Sequence, residues 1–207
     1  MKYSYSVINR INSGGLSPAR VATEIVVNRI LKTKTKKDSI LDIGSKKNIQ
    51  RNLLANSKYV TLDLIKNEEI DVVCDAHNLP FDNGSFDFIM CQEVLEHLEN
   101  PQLAINEMYR VLKFGGEVIL TTRFIFPLHA DPYDFYRFTD DGLKKLFEQF
   151  KLVNVYPAGG LLVSITMLLI HAVPEWFRKH RLFAWIGKIP VKNNTRFACG
   201  YVVEATK

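Results

Sequence analysis

The sequence predicts an α/β fold with a doubly wound, mostly parallel sheet, and three observations predict it. Short apolar runs suited to buried strands alternate with helix signals along most of the 207 residues. The first such run, Ser39 to Ser45 (Ser-Ile-Leu-Asp-Ile-Gly-Ser), ends in an Asp-x-Gly turn. A second carboxylate, Asp63 in Tyr-Val-Thr-Leu-Asp-Leu, closes the next apolar run 19 residues beyond Gly44.

The elements follow in chain order. Residues 1 to 15 are polar and end in Gly14-Gly15; Ser17-Pro18 then reads as a cap with proline at the first helical position, opening a covering helix to about Leu31. Ile40, Leu41 and Ile43 form the first strand. Gly44 supplies a turn that lets backbone and ligand approach closely, and Asp42 stands at the carboxyl end of that strand, the edge where open α/β sheets bind ligands. Asn48 to Ala55 has room for a short helix. Strand-like runs return at Lys58 to Leu64, Asp71 to Cys74 and Phe86 to Cys91.

Asn100-Pro101 repeats the cap-then-proline signal and opens a helix to Lys113, stopped by Gly115-Gly116. Glu117 to Thr122 is the next strand. Thr139-Asp140-Asp141 caps a helix to about Phe150 with acids where the helix dipole favours them, Leu152 to Tyr156 is a further strand, and Phe197 to Ala205 is the last. Residues 157 to 195 interrupt the alternation. They hold the apolar run Leu161 to Ile170, too short to cross a bilayer, and then an aromatic and basic mixture through Trp176, Phe177, Arg178, Lys179, His180, Arg181, Phe183 and Trp185. Such a segment suits a cap over an acceptor site, with peripheral contact at a membrane face.

Composition narrows the function classes. A 47% hydrophobic content supports one domain with a sizeable core, and no repeat or disordered pattern interrupts it. The formal charge of +5 is modest and its one dense run is Lys32 to Lys37, so no nucleic-acid partner is expected. Cys74, Cys91 and Cys199, odd in number and set in or beside apolar runs, read as reduced thiols. With an opening Met-Lys-Tyr-Ser-Tyr-Ser that lacks the apolar core of a secretory signal, the expectation is a cytoplasmic protein. Nothing in the composition fixes an oligomeric state.

Two constellations carry chemistry. Glu93, Glu96 and His97 stand at i, i+3 and i+4, so a helical Gln92 to Leu98 would bring them onto one face, as an oxygen-preferring divalent metal requires. The segment Phe126 to Thr139 gathers His129, Asp131, Tyr133, Asp134, Tyr136 and Arg137 just after the fifth strand. His129 is the preferred general base there because an imidazole titrates near working pH, with Asp131 and Tyr133 beside it in sequence.

ILDIGS, VTLDL, DAHNLPFDNGSFDFIMCQEVLEHLENP and RVLKFGGEVILTT together resemble the class I S-adenosylmethionine-dependent methyltransferases, particularly the small-molecule branch related to ubiquinone biosynthesis, over about Asp38 to Phe150. The resemblance implies a Rossmann-like sheet of seven strands with helices on both faces and, here, an insertion before the last strand. It divides the single domain of 1–207 into a helical cover (1–35), a cofactor-binding core (36–156), an acceptor cap (157–195) and the last strand (196–207). It places Asp42 and Gly44 beside the methionine part of S-adenosylmethionine, Asp63 on the ribose, Asp75 and Ala76 beside adenine, and adds Leu64 and Gln92 to the cofactor set.

Glu-x-x-Glu-His resembles the metal-binding element of certain ubiquinone O-methyltransferases and small-RNA 2′-O-methyltransferases, which implies Mg2+ on Glu93, Glu96, His97 and His129 as an alternative to a metal-independent site. The 126–139 segment is similar to one in methyltransferase-like proteins of bacterial surface glycans. The expected activity is therefore methyl transfer, at oxygen, to a small-molecule, sugar or lipid-linked acceptor. Two alternatives stand beside it. A non-catalytic binding or scaffold protein would explain why Lys46 and Asn48 replace the glycines usual in the turn. An NAD-dependent oxidoreductase shares the ribose-binding carboxylate, but Gly44-Ser45-Lys46-Lys47 lacks its Gly-x-Gly-x-x-Gly.

Overall fold

A computed structural model describes residues 17–34, 39–45, 58–129, 133–172, 186 and 195–207. The short helix expected at Asn48 to Ala55 lies outside these. Seven strands form: β1 (Ser39–Ile43), β2 (Lys58–Asp63), β3 (Val72–Val73), β4 (Phe86–Gln92), β5 (Leu112–Arg123), β6 (Leu152–Ala158) and β7 (Gly200–Thr206). They make one sheet in the order β3-β2-β1-β4-β5-β7-β6. The pairs β2/β3, β1/β2, β1/β4 and β4/β5 are parallel. β7 runs the other way along β5: the amide of Lys207 donates to Gly116 O and that of Phe124 to Cys199 O, each at 3.0 Å. The chain starts in the middle of the sheet, works outward to β3, then returns past β1 to β4. That reversal is the switch point of a doubly wound sheet.

Two compact units divide the chain: 1–33, 123–129 and 156–202 in one, and 34–122, 130–155 and 203–207 in the other. In the second, β1 is buried along its whole length, and Phe88 to Cys91 of β4 and Val118 to Leu120 of β5 are buried with it. Continuous apolar strands of this kind belong in a parallel sheet covered by helices. Helix α2 (Pro101–Val111) supplies Ala104, Ile105, Met108 and Val111, one apolar face at helical spacing. Asn100 Oδ1 accepts from the Leu103 amide to cap it. Helix α3 (Asp140–Leu146) is capped by Thr139, whose hydroxyl accepts from the Gly142 amide at 3.0 Å.

The loop before β4 is stapled to α2. Glu107 accepts from the Leu79 amide at 2.8 Å and from Arg110, and Arg110 donates onward to the carbonyls of Leu79 and Phe81. The Arg110 bonds, with help from the Leu79 amide, hold the Glu107 carboxyl below its ordinary range against the opposing effect of burial.

In the first unit, helix α1 (Pro18–Leu31) begins where Ser17 Oγ accepts from the Arg20 amide, with Pro18 at the first position. Its Ala19 packs with Val163, Met167 and Cys199 in a buried cluster that Phe126 borders. Val163 and Met167 belong to helix α4 (Leu161–His171), the apolar run of the 157–195 segment. Among the described residues no helix is long and apolar enough to cross a membrane.

Several boundaries differ from the sequence reading, and α3 stops at Leu146 rather than about Phe150. α2 stops at Val111, two residues short of Lys113, and β5 begins at once at Leu112. Gly115-Gly116 therefore does not end a helix: the pairing shifts between Phe86↔Leu112 and Phe88↔Glu117, and the intervening residues bulge, with Gly115 at φ +73° and its amide donating to Lys207 O. A 3₁₀ turn at Thr195–Phe197 delays the last strand to Gly200.

Candidate cofactor site at the carboxyl edge of the sheet

Strand register builds the site. β1 and β2 pair up to Ile43↔Leu62, and β1 and β4 up to Ile43↔Cys91. One step further, Asp63, Gly44 and Gln92 come level across three neighbouring strands. Val73 of β3 pairs with Asp63 and Thr121 of β5 with Gln92, so the level continues to both sides. The ladder holds Gly44 there, its amide donating to Leu62 O at 2.7 Å. Gly44 has φ +76°, and a Cβ on it would lie 2.1 Å from Val94 Cγ2. Only glycine satisfies both constraints. The turn after β1 and the turn after β4 thus meet at the switch point.

The side chains along this edge are unequally occupied. Asp63 is buried; its Oδ1 accepts from the Ile65 amide at 3.0 Å, while Oδ2 has no hydrogen bond to a described residue. Leu64 beside it is 60% exposed, an apolar surface at the rim. Asp42 is buried and accepts from the Tyr59 hydroxyl at 2.8 Å. Asp75 accepts from the amide of His77 at 2.9 Å and pairs with the His77 ring, and Ala76 is buried. Ser45, next to the glycine, is buried with its hydroxyl meeting no partner among the described residues. An open carboxylate oxygen, an orphaned hydroxyl and a side-chain-free turn together fit an adenosyl cofactor with hydroxyls and an amino group to offer.

After β4 the expected helix does not form. β4 runs through Gln92, Glu93 takes φ +57°, and only Leu95–His97 makes a 3₁₀ turn. Glu93 is therefore not on a helical face with Glu96 and His97. Its left-handed backbone is held from outside: its amide donates to Thr121 O at 2.9 Å and the Thr121 hydroxyl donates to Glu93 Oε1 at 2.9 Å. Glu96, fully buried, accepts from the Thr122 hydroxyl through Oε2 at 2.8 Å. Burial, then the charges of Glu96, Asp42 and Glu93, push the Cys91 thiol well up, so it stays protonated beneath the site.

Tyr133 to Thr139 straps onto this turn. The amides of Phe135 and Tyr136 donate to Glu96 O, the Tyr136 hydroxyl to Glu99 O at 2.9 Å, and the His97 ring bonds the Tyr133 carbonyl through Nδ1. Arg137 pairs with the Asp134 carboxylate, and this bond, outweighing burial, raises its own affinity for a proton. Tyr133 is 63% exposed. Asp131 lies outside the described residues. His129, in the other unit, is half-buried with its ring edge-on to Phe126, centroids 5.0 Å apart; the Arg123 guanidinium lies 4.5 Å from the same Phe126 ring. Tyr59, Ser45, Val94 and Thr121 escaped the sequence reading. Only Ser45 carried a local signal, its place beside the glycine.

A doubly wound α/β fold whose switch point carries an open carboxylate and a glycine turn is the class of protein these features define. Residues 41–120 match the family described as a methyltransferase domain. The chain is 32% identical over 93 residues to the ubiquinone/menaquinone biosynthesis C-methyltransferase UbiE of Ruegeria sp. (strain TM1040), covering 45% of this chain and 32% of the relative. It is 35% identical over 118 residues to the demethylmenaquinone methyltransferase of Staphylococcus epidermidis (strain ATCC 35984), covering 53% and 48%. It thus spans 32% to 48% of the length of these curated relatives. A crystal structure of a SAM-dependent methyltransferase from Archaeoglobus fulgidus shares the fold, with a TM-score of 0.61 at 18% identity over 99% of this chain and 100% of that one. Over residues 41–120 the chain is thus similar to methyltransferase domains, and its fold is that of the class I S-adenosylmethionine-dependent methyltransferases.

Proposed function

We propose that this protein transfers a methyl group from S-adenosylmethionine to an oxygen of a small-molecule, sugar or lipid-linked acceptor in the cytoplasm. The observation that carries the reading is the level row of Asp63, Gly44 and Gln92 at the switch point, with Asp63 Oδ2 open. When bound, S-adenosylmethionine supplies a methyl group on a positively charged sulfur, already reactive toward a lone pair. Asp63 takes the ribose hydroxyls, a carboxylate being an acceptor for two donors at once. Asp42, steadied by Tyr59, and Ser45 face the methionine part beside Gly44; Leu64, Asp75 and Ala76 flank adenine, and Gln92 closes the row.

The chain's remaining task is to orient the acceptor and remove its proton. His129 takes the hydroxyl proton as the oxygen–methyl bond forms and the sulfur–methyl bond breaks, with Asp131 and the exposed Tyr133 phenol as accompanying groups. Transfer to carbon is the second reading, favoured by relatives whose names specify C-methylation; the methyl resonance of the product separates the two.

Titration calorimetry with S-adenosylhomocysteine tests the cofactor assignment. Asp63→Ala should weaken binding by about 1 to 3 kcal/mol, the loss of charged hydrogen bonds. Unchanged affinity would remove Asp63 from the site. Binding of NAD in place of S-adenosylhomocysteine would favour an oxidoreductase, and tight binding with no methyl consumed on any acceptor a binding protein that kept the fold.

A further inference from the structure

Helix α4 carries an apolar face that the methyl-transfer reading does not use. Leu161, Leu162, Ile165, Leu168 and Leu169 are 42% to 62% exposed, while Val163, Ser164, Thr166, Met167 and Ile170 are buried. At about 100° per residue the five exposed positions fall within a stripe about 120° wide, and the buried ones fill the opposite side. Every exposed position in the stripe is aliphatic, where a solvent-facing helix places polar residues. Phe197, 40% exposed, extends the patch: its carbonyl accepts from the Ser164 hydroxyl at 2.8 Å, which sets it against α4, and its neighbour Arg196 is exposed.

Charge separates between the two units far more than the modest total suggests. The unit holding α4 contains 12 of the 27 Lys and Arg but only Glu24 and Glu175 of the 22 acids, a formal +10. The other unit holds the remaining 15 cations and 20 acids, a formal −5. Glu24 is moreover paired with Arg20 at 2.8 Å. An aliphatic helix face on a strongly cationic unit matches a surface that is apolar a few ångströms down and negative at its rim. α4, 11 residues and thus about 16 Å long, falls well short of the roughly 30 Å needed to cross a bilayer, so at a membrane it would lie in the plane.

We propose that the outer face of α4 docks this protein on an anionic lipid surface. The aliphatic stripe enters the boundary between headgroups and acyl chains, with exposed Arg196 beside it at the level of the phosphates. The inference stands apart from the transfer chemistry, since none of these residues belongs to the cofactor site.

Flotation of the full chain tests it, with neutral phosphatidylcholine vesicles and with vesicles holding about 30% phosphatidylserine. The protein should float with the anionic vesicles at about 0.1 M salt, much less on neutral ones, and less as salt screens the attraction. Leu162→Glu combined with Leu169→Glu should lower partitioning roughly 30-fold or more, because two half-exposed leucines lose their transfer into lipid. Leu152→Glu, an equally exposed leucine in the other unit, should leave it unchanged.

Circular dichroism and S-adenosylhomocysteine binding check that each variant is folded. They also separate this inference from the methyltransferase reading: wild type that floats without binding S-adenosylhomocysteine fails only the latter. Flotation of the double variant at the wild-type level overturns the proposal, as does wild type that ignores both vesicles. Two further results overturn it: a dimer that the same pair of changes dissolves, meaning a second copy covers the face, or retention on duplex DNA without vesicle binding, meaning the cations serve a nucleic acid.

Discussion

Replacing Gly44 by alanine introduces two separable penalties. The backbone there has φ +76°, which costs an L-residue about 1 to 2 kcal/mol. The new Cβ would also lie 2.1 Å from Val94 Cγ2, so the turn after β4 must give way, an overpacking cost of about 1 to 3 kcal/mol. Gly44→Ala should therefore destabilise the fold by about 2 to 5 kcal/mol, and displace the turn on which cofactor binding depends. Urea unfolding followed by circular dichroism measures the first effect, and S-adenosylhomocysteine calorimetry the second. Val94→Ala supplies the internal check, because the Val94 Cβ stands 3.6 Å from the added atom, an ordinary contact. In the double variant the steric share should disappear and the dihedral share remain, giving a favourable coupling of about 1 to 3 kcal/mol. A loss under about 1 kcal/mol in Gly44→Ala, or no coupling with Val94→Ala, would refute the picture of two turns meeting at the switch point.

The other predictions concern acid stability and proton transfer. Because the folded-state affinity of Glu107 for a proton is depressed, its contribution is present above the unfolded carboxyl value near 4.5 and fades as pH falls through the lower folded one. Glu107→Gln should then lower the melting temperature at pH 7 and flatten its decline below about pH 4.5; a melting curve with the wild-type acid limb would show that the staple to Leu79 and Arg110 is not titrating. His129→Ala should leave cofactor affinity intact and cut kcat roughly 10²- to 10⁴-fold, while wild-type turnover on the true acceptor would make the segment structural. In wild type, full activity after EDTA excludes a metal on Glu93, Glu96, His97 and His129, and activity restored by magnesium supports one.

Buried parallel strands and capped helices were legible because their signals are local. Ile40, Leu41 and Ile43 put apolar side chains on both faces of β1, as a central strand requires, and Ser17-Pro18, Asn100-Pro101 and Thr139 cap their helices with their own hydroxyl or amide oxygens. The level of Gly44 and Asp63 was legible too, since each ends an apolar run and register does the rest. The turn after β4 was not. Spacing placed Glu93, Glu96 and His97 on one helical face, but Thr121, 28 residues away, holds Glu93 in a left-handed conformation that no glutamate advertises. The Tyr59–Asp42 bond is hidden for the same reason, as a pairing across strands rather than along one. Gly115-Gly116 misled because glycine marks a helix stop and a bulge alike, and only Lys207, at the far end of the sequence, decides which.

The division of the chain also orders the events by which it can fold. Lys34 to Thr122, which contains β1 through β4 and most of β5, is one continuous stretch of a single unit. The other unit is gathered from three stretches, and joining Thr33 to Arg123 closes a loop of 89 residues, at an entropic cost of about 4 kcal/mol. The cofactor row therefore belongs to the part of the protein that can nucleate from near neighbours, and α4, with its aliphatic stripe, to the part that must wait for distant segments to meet. During that interval the stripe is an adhesive surface on an unfinished molecule, so a chain held at this stage is the species most prone to aggregate.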